Sequence, residues 1–151
     1  MIDMLHILQR KGFNFFSVPV QATVGDALSV LAAEKIGLVL VMDGDILLGV
    51  FSERDAIRLA VAHGTFPADL PITQVMTSPV HHVPKHTGVD DCMALMVEKG
   101  IRHVPVLDGH RVVGVVSMRD VVLEAVEHRE TIIRGLETYI IGGDYPPVGG
   151  R

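Results

Sequence analysis

The chain has 151 residues and a formal net charge of −5 at pH 7, and apolar residue types make up 48% of it. This length suits one compact unit or two small units that share a core, and it excludes a large multidomain enzyme. The acidic balance does not favour nucleic-acid binding, which needs a basic surface. The longest apolar run, residues 36–42, is far too short to cross a membrane, so no membrane association is expected.

The first residues and the cysteine content predict the compartment. The opening stretch MIDMLHILQRKG has an acidic residue early and its basic residues late, which is the reverse of a secretory signal. The single cysteine, Cys92, cannot form an internal disulfide and fits a reducing compartment. We therefore expect a cytoplasmic protein.

The first set of predicted elements follows in chain order. Residues 15–18 predict a strand, and apolar residues at helical spacing predict a helix over 24–35. Two apolar runs, 38–42 and 46–51, flank an Asp-Gly pair, which is a strong hairpin signal. After Ser52 the apolar residues again follow helical spacing. The predicted order is therefore β-α-β-β-α.

The same order recurs 65 residues later. Residues 18–63, the first copy, align without a gap with residues 83–128, the second copy, and seventeen of the forty-six pairs are identical. Chance would give only a few identities, so the chain contains an internal duplication. Two copies predict two similar subdomains about an approximate twofold axis rather than a solenoid.

The segments outside the copies give the predicted domain limits. Residues 62–71 predict a linker, and 124–141 predict one extended helix before a Gly-Gly pair. We predict a first domain over 1–66 that includes an N-terminal helix, and a second over 67–128 that includes the linker. A C-terminal helix extension and a flexible tail are predicted over 129–151.

One motif follows the hairpin of each copy, GVFSERD at 49–55 and GVVSMRD at 114–120. A serine and an aspartate three residues apart predict a helix cap, which is the simplest interpretation. A cap does not explain Arg54 and Arg119, because an arginine in the first turn opposes the helix dipole. Free N–H groups at a helix start and a guanidinium favour phosphate, and a following carboxylate can accept ribose hydroxyls. The motif therefore predicts a phosphorylated nucleoside.

These features resemble a tandem pair of cystathionine-β-synthase (CBS) domains, an arrangement called a Bateman module. The resemblance rests on the duplicated motif, on GIRHVPVLDG at 100–109, on VMTSP at 75–79 and on the 65-residue spacing. It implies an α/β (α+β) fold of two β-α-β-β-α subdomains that are related by pseudo-twofold symmetry and packed through their sheets. It also implies two clefts that bind adenine nucleotides or adenosyl compounds, and disc-shaped homodimers.

The resemblance further implies that each cleft combines the Ser-x-Arg-Asp of one copy with strands of the other. The stronger nucleotide-binding cleft is expected to contain Ser52, Arg54, Asp55, Val80, Ile101, Arg102 and His103, with Val104 as a further apolar wall. The weaker cleft is expected to contain Gly37, Leu38, Ser117, Arg119 and Asp120. Because Gly37 and Leu38 stand where the stronger cleft has Arg102 and His103, we expect phosphorylated ligands to bind more tightly beside Asp55.

The histidines before the second copy raise the question of a metal site. If residues 80–83 form a strand, His81 and His82 point to opposite faces and cannot both bind one ion from one face. No second cysteine or carboxylate cluster completes a zinc set with His86, so we expect surface histidines and no metal. Cys92 aligns with Ala27 on an inner helix face, which predicts a buried structural thiol.

The sequence contains no activated serine, Walker-type phosphate loop or paired carboxylates, so no catalytic residue and no enzymatic activity are predicted. We expect a free-standing regulatory sensor whose ligand is AMP, ATP, NAD(H) or S-adenosylmethionine. It would act on an unidentified protein partner or through its own homodimer. Two alternatives stay open: a dimerisation scaffold with non-binding clefts, and a small nucleotide-hydrolysing enzyme that uses His103 or a bound metal.

Overall fold

The computed structural model describes residues 2–141, with side chains described through residue 138. The helices are α1 (Met4–Lys11), α2 (Val24–Glu34), α3 (Glu53–His63), α4 (Val89–Lys99) and α5 (Met118–Ile141), with a short 3-10 helix at Ile72–Gln74. The strands are β1 (Ser17–Pro19), β2 (Leu38–Asp43), β3 (Ile46–Ser52), β4 (Val83–Pro84), β5 (His103–Asp108) and β6 (Arg111–Ser117). Each copy therefore has the predicted β-α-β-β-α order.

The two copies share their sheet topology. Each forms a three-stranded sheet, β1-β2-β3 or β4-β5-β6, in which the first pair of strands is parallel and the second antiparallel. The predicted hairpin turns are confirmed, with φ of 59° at Gly44 and 62° at Gly109, a conformation that glycine adopts without strain. Both hairpins shift register after the residue at the same position, Val41 and Val106. The duplication thus extends to backbone detail.

The leading strand of each copy is shorter than predicted and lies further along the chain. The second copy's leading strand was expected over 80–83, but β4 pairs only Val83 and Pro84 with β5. Residues 80–82 pair with no described strand, and the carbonyl of Val80 instead lies 3.0 Å from a ring nitrogen of His82. The strand argument that placed His81 and His82 on opposite faces is therefore wrong.

The sheets of the two copies pack against each other, as the fold prediction requires. A cluster of buried side chains joins Leu38 and Leu40 of the first sheet to Leu107 and Val112 of the second. Apolar strand faces removed from water in this way contribute about 25 cal/mol per Å² of buried area. The pseudo-twofold arrangement of two α+β subdomains is confirmed.

Each core is completed by a segment that the predicted domain limits assign to the other copy. Met4, Ile7 and Leu8 of α1 are buried in the core of the second copy. Ile72, which follows the first copy, is buried in the core of the first copy. The two segments enter through equivalent bridges, Asp3 to Gly88 and Pro71 to Thr23. The domain limits 1–66, 67–128 and 129–151 stay predictions, and the side-chain packing crosses the first of them in both directions.

The C-terminal helix prediction describes part of a longer element. The helix expected over 124–141 belongs to α5, which runs without interruption from the second copy's motif to Ile141. Within residues 2–141, no helix combines the length and the apolar character needed to span a bilayer. The tail expected to be flexible lies over 142–151, outside the described residues.

The cysteine occupies a core position. Cys92 on α4 is fully buried among the side chains of the second copy's core. Burial raises the pKa of its thiol to about 11, so the thiol stays protonated at neutral pH. Its equivalent in the first copy, Ala27, is equally buried. The prediction of a buried structural thiol is confirmed.

Candidate functional site

The duplicated motif forms the same helix cap in both copies. Ser52 has an extended backbone, and its Oγ accepts a hydrogen bond of 3.1 Å from the backbone N–H of Asp55. Asp55 Oδ2 accepts one of 2.9 Å from the backbone N–H of Ser52, which completes a capping box. Ser117 and Asp120 repeat both bonds at 3.1 and 2.8 Å. The predicted cap is therefore present twice, and any functional difference between the copies must come from its surroundings.

A cavity of about 480 Å³ opens beside the start of α3, and we call it the Asp55 cavity. One wall comes from the first copy, at the start of β2, the end of β3 and the first two turns of α3. The other wall comes from the second copy, at the end of α4 and the start of β5. Both copies thus contribute to one site, and its volume is in the range of small-molecule sites.

Most residues predicted for the stronger cleft line this cavity. The structure brings together Ser52, Arg54, Asp55, Ile101, Arg102 and His103. Val80 does not join them, because it lies in a separate open groove along the two hairpin turns. Val104 is fully buried in the second copy's core and reaches no ligand site. Ile101, Leu38, Val50 and Ile57 supply the apolar lining instead.

Gly37 and Leu38, predicted for the weaker cleft, also line the Asp55 cavity. The carbonyl of Gly37 accepts a hydrogen bond of 3.1 Å from the backbone N–H of Glu53, which holds the start of β2 beside the start of α3. His103 packs against the same glycine, since an ideal Cβ on Gly37 would lie 2.6 Å from His103 Cε1. Residues at the starts of β2 and β5 therefore meet near the pseudo-twofold axis.

The surroundings of Asp120 are different, because α1 covers them. Lys11 Nζ lies 2.5 Å from Asp120 Oδ2 and 3.1 Å from the carbonyl oxygen of Val115. Burial raises the pKa of Asp120, but the hydrogen bonds from Lys11 and Ser117 outweigh burial and the net pKa is lowered. The pocket beside Asp120 is only about 240 Å³ and is lined by α1 and α5. Neither Ser117 nor Arg119 lines it, nor do Gly37 and Leu38.

Cations dominate the charged lining of the Asp55 cavity. Arg54, Arg58, Lys99 and Arg102 face two carboxylates, Glu53 and Asp55. Among the described residues, no carboxylate lies within ion-pair distance of any of the three arginines. Near Asp120, by contrast, Lys11 and Arg10 are each paired with acidic side chains of α5. The Asp55 cavity therefore has the charge to attract an anion.

Sequence reasoning missed several of these lining residues, namely Glu53, Arg58, Thr77, His81 and Lys99. Arg58 could have been found, because it lies four residues after Arg54 and therefore on the same face of α3. Lys99 could have been found too, since it is next to the GIRH stretch that the resemblance singled out. Thr77 could have been found in the same way, because it lies in the VMTSP stretch, whereas His81 was considered only as a metal ligand.

The histidine beside Gly37 makes the stability of the ligand-free protein depend on pH. Burial and the positive charges of Lys11 and Arg102 lower the pKa of His103 from 6.5, and these effects outweigh Asp120 and Glu53. A lowered folded-state pKa means that the unfolded chain binds the proton more tightly, so stability is lost as pH falls through about 6.5.

We expect His103→Leu, which installs the residue found at the equivalent Leu38, to weaken this loss. The measurement is urea unfolding of both proteins at about pH 7.5 and 5.5, on either side of an ordinary histidine pKa. The control is His128→Leu at an exposed site on α5, which should keep the wild-type dependence. If the stability of His103→Leu depended on pH as strongly as that of the wild type, other groups would be the cause.

The histidines considered for a metal lie apart. His86 Nδ1 is 2.8 Å from Asp3 Oδ2, His82 contacts the carbonyl of Val80, and His81 lines the Asp55 cavity. Within the part of the chain that the structure describes, no three side chains of the metal-binding types come together. His86 and Asp3 thus hold the start of α1 to the second copy.

Comparison with known proteins agrees with this architecture. A sequence model of the CBS domain matches residues 6–62 and 72–127. The mitochondrial CBS domain-containing protein CBSX3 of Arabidopsis thaliana is 36% identical over 127 residues, which are 80% of this chain and 61% of that protein. The chain thus spans about three fifths of the length of that relative.

Solved structures show the same likeness. A CBS-domain containing protein of Agrobacterium tumefaciens is 31% identical, with a TM-score of 0.78 over 82% of this chain and 99% of that one. A CBS domain protein of Pyrobaculum aerophilum, complexed with AMP, is 29% identical, with a TM-score of 0.71 over 83% of this chain and 99% of that one. With two matching stretches in tandem, this chain belongs to the CBS domain family and is a pair of CBS domains.

Proposed function

We propose that this CBS pair is a regulatory module that binds an adenine nucleotide in the Asp55 cavity. The observation that carries the proposal is the meeting, in one cavity, of a helix start, an aspartate and arginines that form no ion pair within the described residues. The N–H groups of Ser52, Glu53 and Asp55 already donate within the protein. A phosphate group would therefore accept a hydrogen bond from the backbone N–H of Arg54 and pair with the guanidinium groups of Arg54 and Arg102.

The remaining parts of a nucleotide fit the rest of the lining. Asp55 uses Oδ2 for the helix cap, and its Oδ1 makes no hydrogen bond within the described residues, so Oδ1 can accept ribose hydroxyls. Leu38, Val50 and Ile101 offer apolar surface for the base. The AMP complex of the Pyrobaculum aerophilum relative supports an adenosyl ligand.

Binding would change how the two copies pack, because the cavity has a wall from each. A ligand that contacts α3 and the start of β5 at once stabilises one relative arrangement of the copies, and a protein partner can sense that arrangement. The proposal therefore includes regulation of a protein partner. The compartment would be the cytoplasm or an organelle such as the mitochondrion, which the name of CBSX3 specifies.

The first test is the melting temperature of the purified protein with AMP, ATP, NADH and S-adenosylmethionine in turn. We expect a rise with at least one adenine nucleotide. No rise with any of them would favour the alternative of a dimerisation scaffold whose clefts do not bind. Release of AMP or phosphate from ATP by the purified protein would favour the alternative of a nucleotide-hydrolysing enzyme.

A homodimer is part of the proposal, and the argument for it is a repeated apolar surface. Ile57 and Val61 on α3 are exposed, and so are their equivalents on α5, Val122 and Val126. These positions are equivalent under the pseudo-twofold axis, so each copy presents the same exposed apolar surface on its last helix. A second copy of the chain would cover such a face with matching positions.

We expect the wild type to sediment as a dimer and Val61→Glu with Val126→Glu to sediment as a monomer, because paired carboxylates would be buried in the interface. The matched control is Ile46→Glu at the tip of the first hairpin, where an equally apolar side chain is 61% exposed. A monomeric wild type, or a dimer that survives the double substitution, would rule out this interface.

A further inference from the structure

The two copies differ in charge at positions that the motif does not include. Arg58 of the first copy aligns with Leu123 of the second, and Lys99 of the second aligns with Glu34 of the first. Both cationic members of these pairs line the Asp55 cavity. At each of these positions, the other copy therefore carries an uncharged or acidic residue that can be used as a replacement in a variant.

The geometry gives these two cations access to a ligand that already contacts the motif. Arg54 and Arg58 are four residues apart, so their side chains lie on one face of α3. Lys99 ends α4 three residues before Arg102, on the wall contributed by the second copy. Its described ion pair, with Glu98 at 3.6 Å, joins two partly or largely exposed side chains and is therefore weak.

One phosphate group does not use this many cations. The start of α3 together with Arg54 and Arg102 is enough to hold a single phosphate, as proposed above. Arg58 and Lys99 then add positive charge in a cavity where only Glu53 and Asp55 oppose it. Each further phosphate brings negative charge to these groups, whereas a positively charged sulfonium ligand is repelled by them.

We infer that the Asp55 cavity selects nucleotides with two or more phosphates, and that Arg58 and Lys99 determine this selection. The inference rests on the proposed function, since it names the class of ligand at the same site. The two residues hold the phosphates beyond the first, so they affect the preference among nucleotides more than binding of the nucleoside monophosphate.

The test is calorimetric titration of the full chain with AMP, ADP and ATP, without magnesium so that the phosphate charges stay unshielded. We expect ATP to bind the wild type about tenfold or more tightly than AMP. In the double variant Arg58→Leu with Lys99→Glu, the ratio of the affinity for ATP to that for AMP should fall to about one or below. The affinity for AMP itself should change less than the affinity for ATP. The matched control, Glu34→Lys with Leu123→Arg, exchanges the same residue types in the reciprocal direction outside the cavity and should keep the wild-type ratio.

A salt titration of the wild type tests the inference without any substitution, should the double variant fail to fold. The affinity for ATP should fall more steeply with salt than that for AMP, because more ion pairs form. Equal affinity for AMP and ATP, or equal salt dependence, overturns the inference and leaves the proposed function standing. A preference that survives the double substitution overturns the role of Arg58 and Lys99. Binding of none of the three nucleotides overturns the inference, and it overturns the proposed function as well if NADH also fails to raise the melting temperature.

Discussion

Asp55→Ala is expected to remove the stabilisation that an adenine nucleotide gives to the folded protein. A ligand present at about 100 times its dissociation constant adds about 2.7 kcal/mol, which raises the melting temperature by roughly 5–10 °C for a chain of this size. Without the carboxylate, the ribose hydroxyls lose their acceptor and the start of α3 loses half of its capping box. The measurement is the ligand-induced melting shift of wild type and variant.

The second copy offers a matched control in Asp120→Ala. Both aspartates accept a hydrogen bond from the backbone N–H of the capping serine, so both variants lose the same half of a capping box and keep the serine cap. Asp120→Ala also removes the ion pair between Lys11 and Asp120, but Asp120 does not line the Asp55 cavity. We therefore expect Asp120→Ala to lower the melting temperature without ligand and to keep the full ligand-induced rise. Equal loss of that rise in both variants would contradict the assignment of the site to the Asp55 cavity.

Leu8→Ala is expected to destabilise the protein by about 2–5 kcal/mol, the range for truncating a buried leucine. Leu8 lies in α1, before the first copy in sequence, yet it is fully buried in the second copy's core. It packs so closely on β6 that a Cβ added to Gly114 would lie 2.7 Å from Leu8 Cδ2. Truncation therefore leaves a cavity at the centre of the second copy. Denaturant unfolding measures the loss in the free energy of unfolding. We expect the transition of the variant to be as cooperative as that of the wild type.

The neighbouring Gln9→Ala is the control, because Gln9 is exposed on the same helix. An exposed substitution of this kind is expected to change the free energy of unfolding by no more than about 0.5 kcal/mol. If Leu8→Ala cost no more than Gln9→Ala, α1 would not be part of the second core in solution.

Local signals in the sequence predicted most of the fold. The hairpins depend on Asp-Gly pairs, the helix starts on Ser52 and Ser117, and the duplication on an alignment without gaps. Each of these signals lies within a few residues, so no knowledge of distant packing is needed. The exchange of α1 and Ile72 between the cores is different, because any apolar helix face could cover either core. Only the three-dimensional arrangement decides which core each segment completes.

The same distinction applies to the candidate site. Ser52, Arg54 and Asp55 were predicted from one motif, and the structure places them in one cavity. Val80 was expected beside them because residues 80–83 were expected to form a strand, and that strand begins only at Val83. The contact of Lys11 with Asp120 joins residues that are 109 positions apart, so the spacing in the sequence does not indicate it.

The location of the bound nucleotide is the central claim, and amide chemical shifts of the labelled protein during titration with ATP test it most directly. We predict that the shifts change at residues 52–55, 57–58 and 99–103, which line the Asp55 cavity, and not at 119–123. Met118 is left out of the comparison, because its N–H donates to the carbonyl of Arg102 in the cavity wall. Changes at 119–123 with none at 52–55 or 57–58 would contradict the claim and place the ligand beside Asp120. The absence of any change at saturating ATP would contradict nucleotide binding itself.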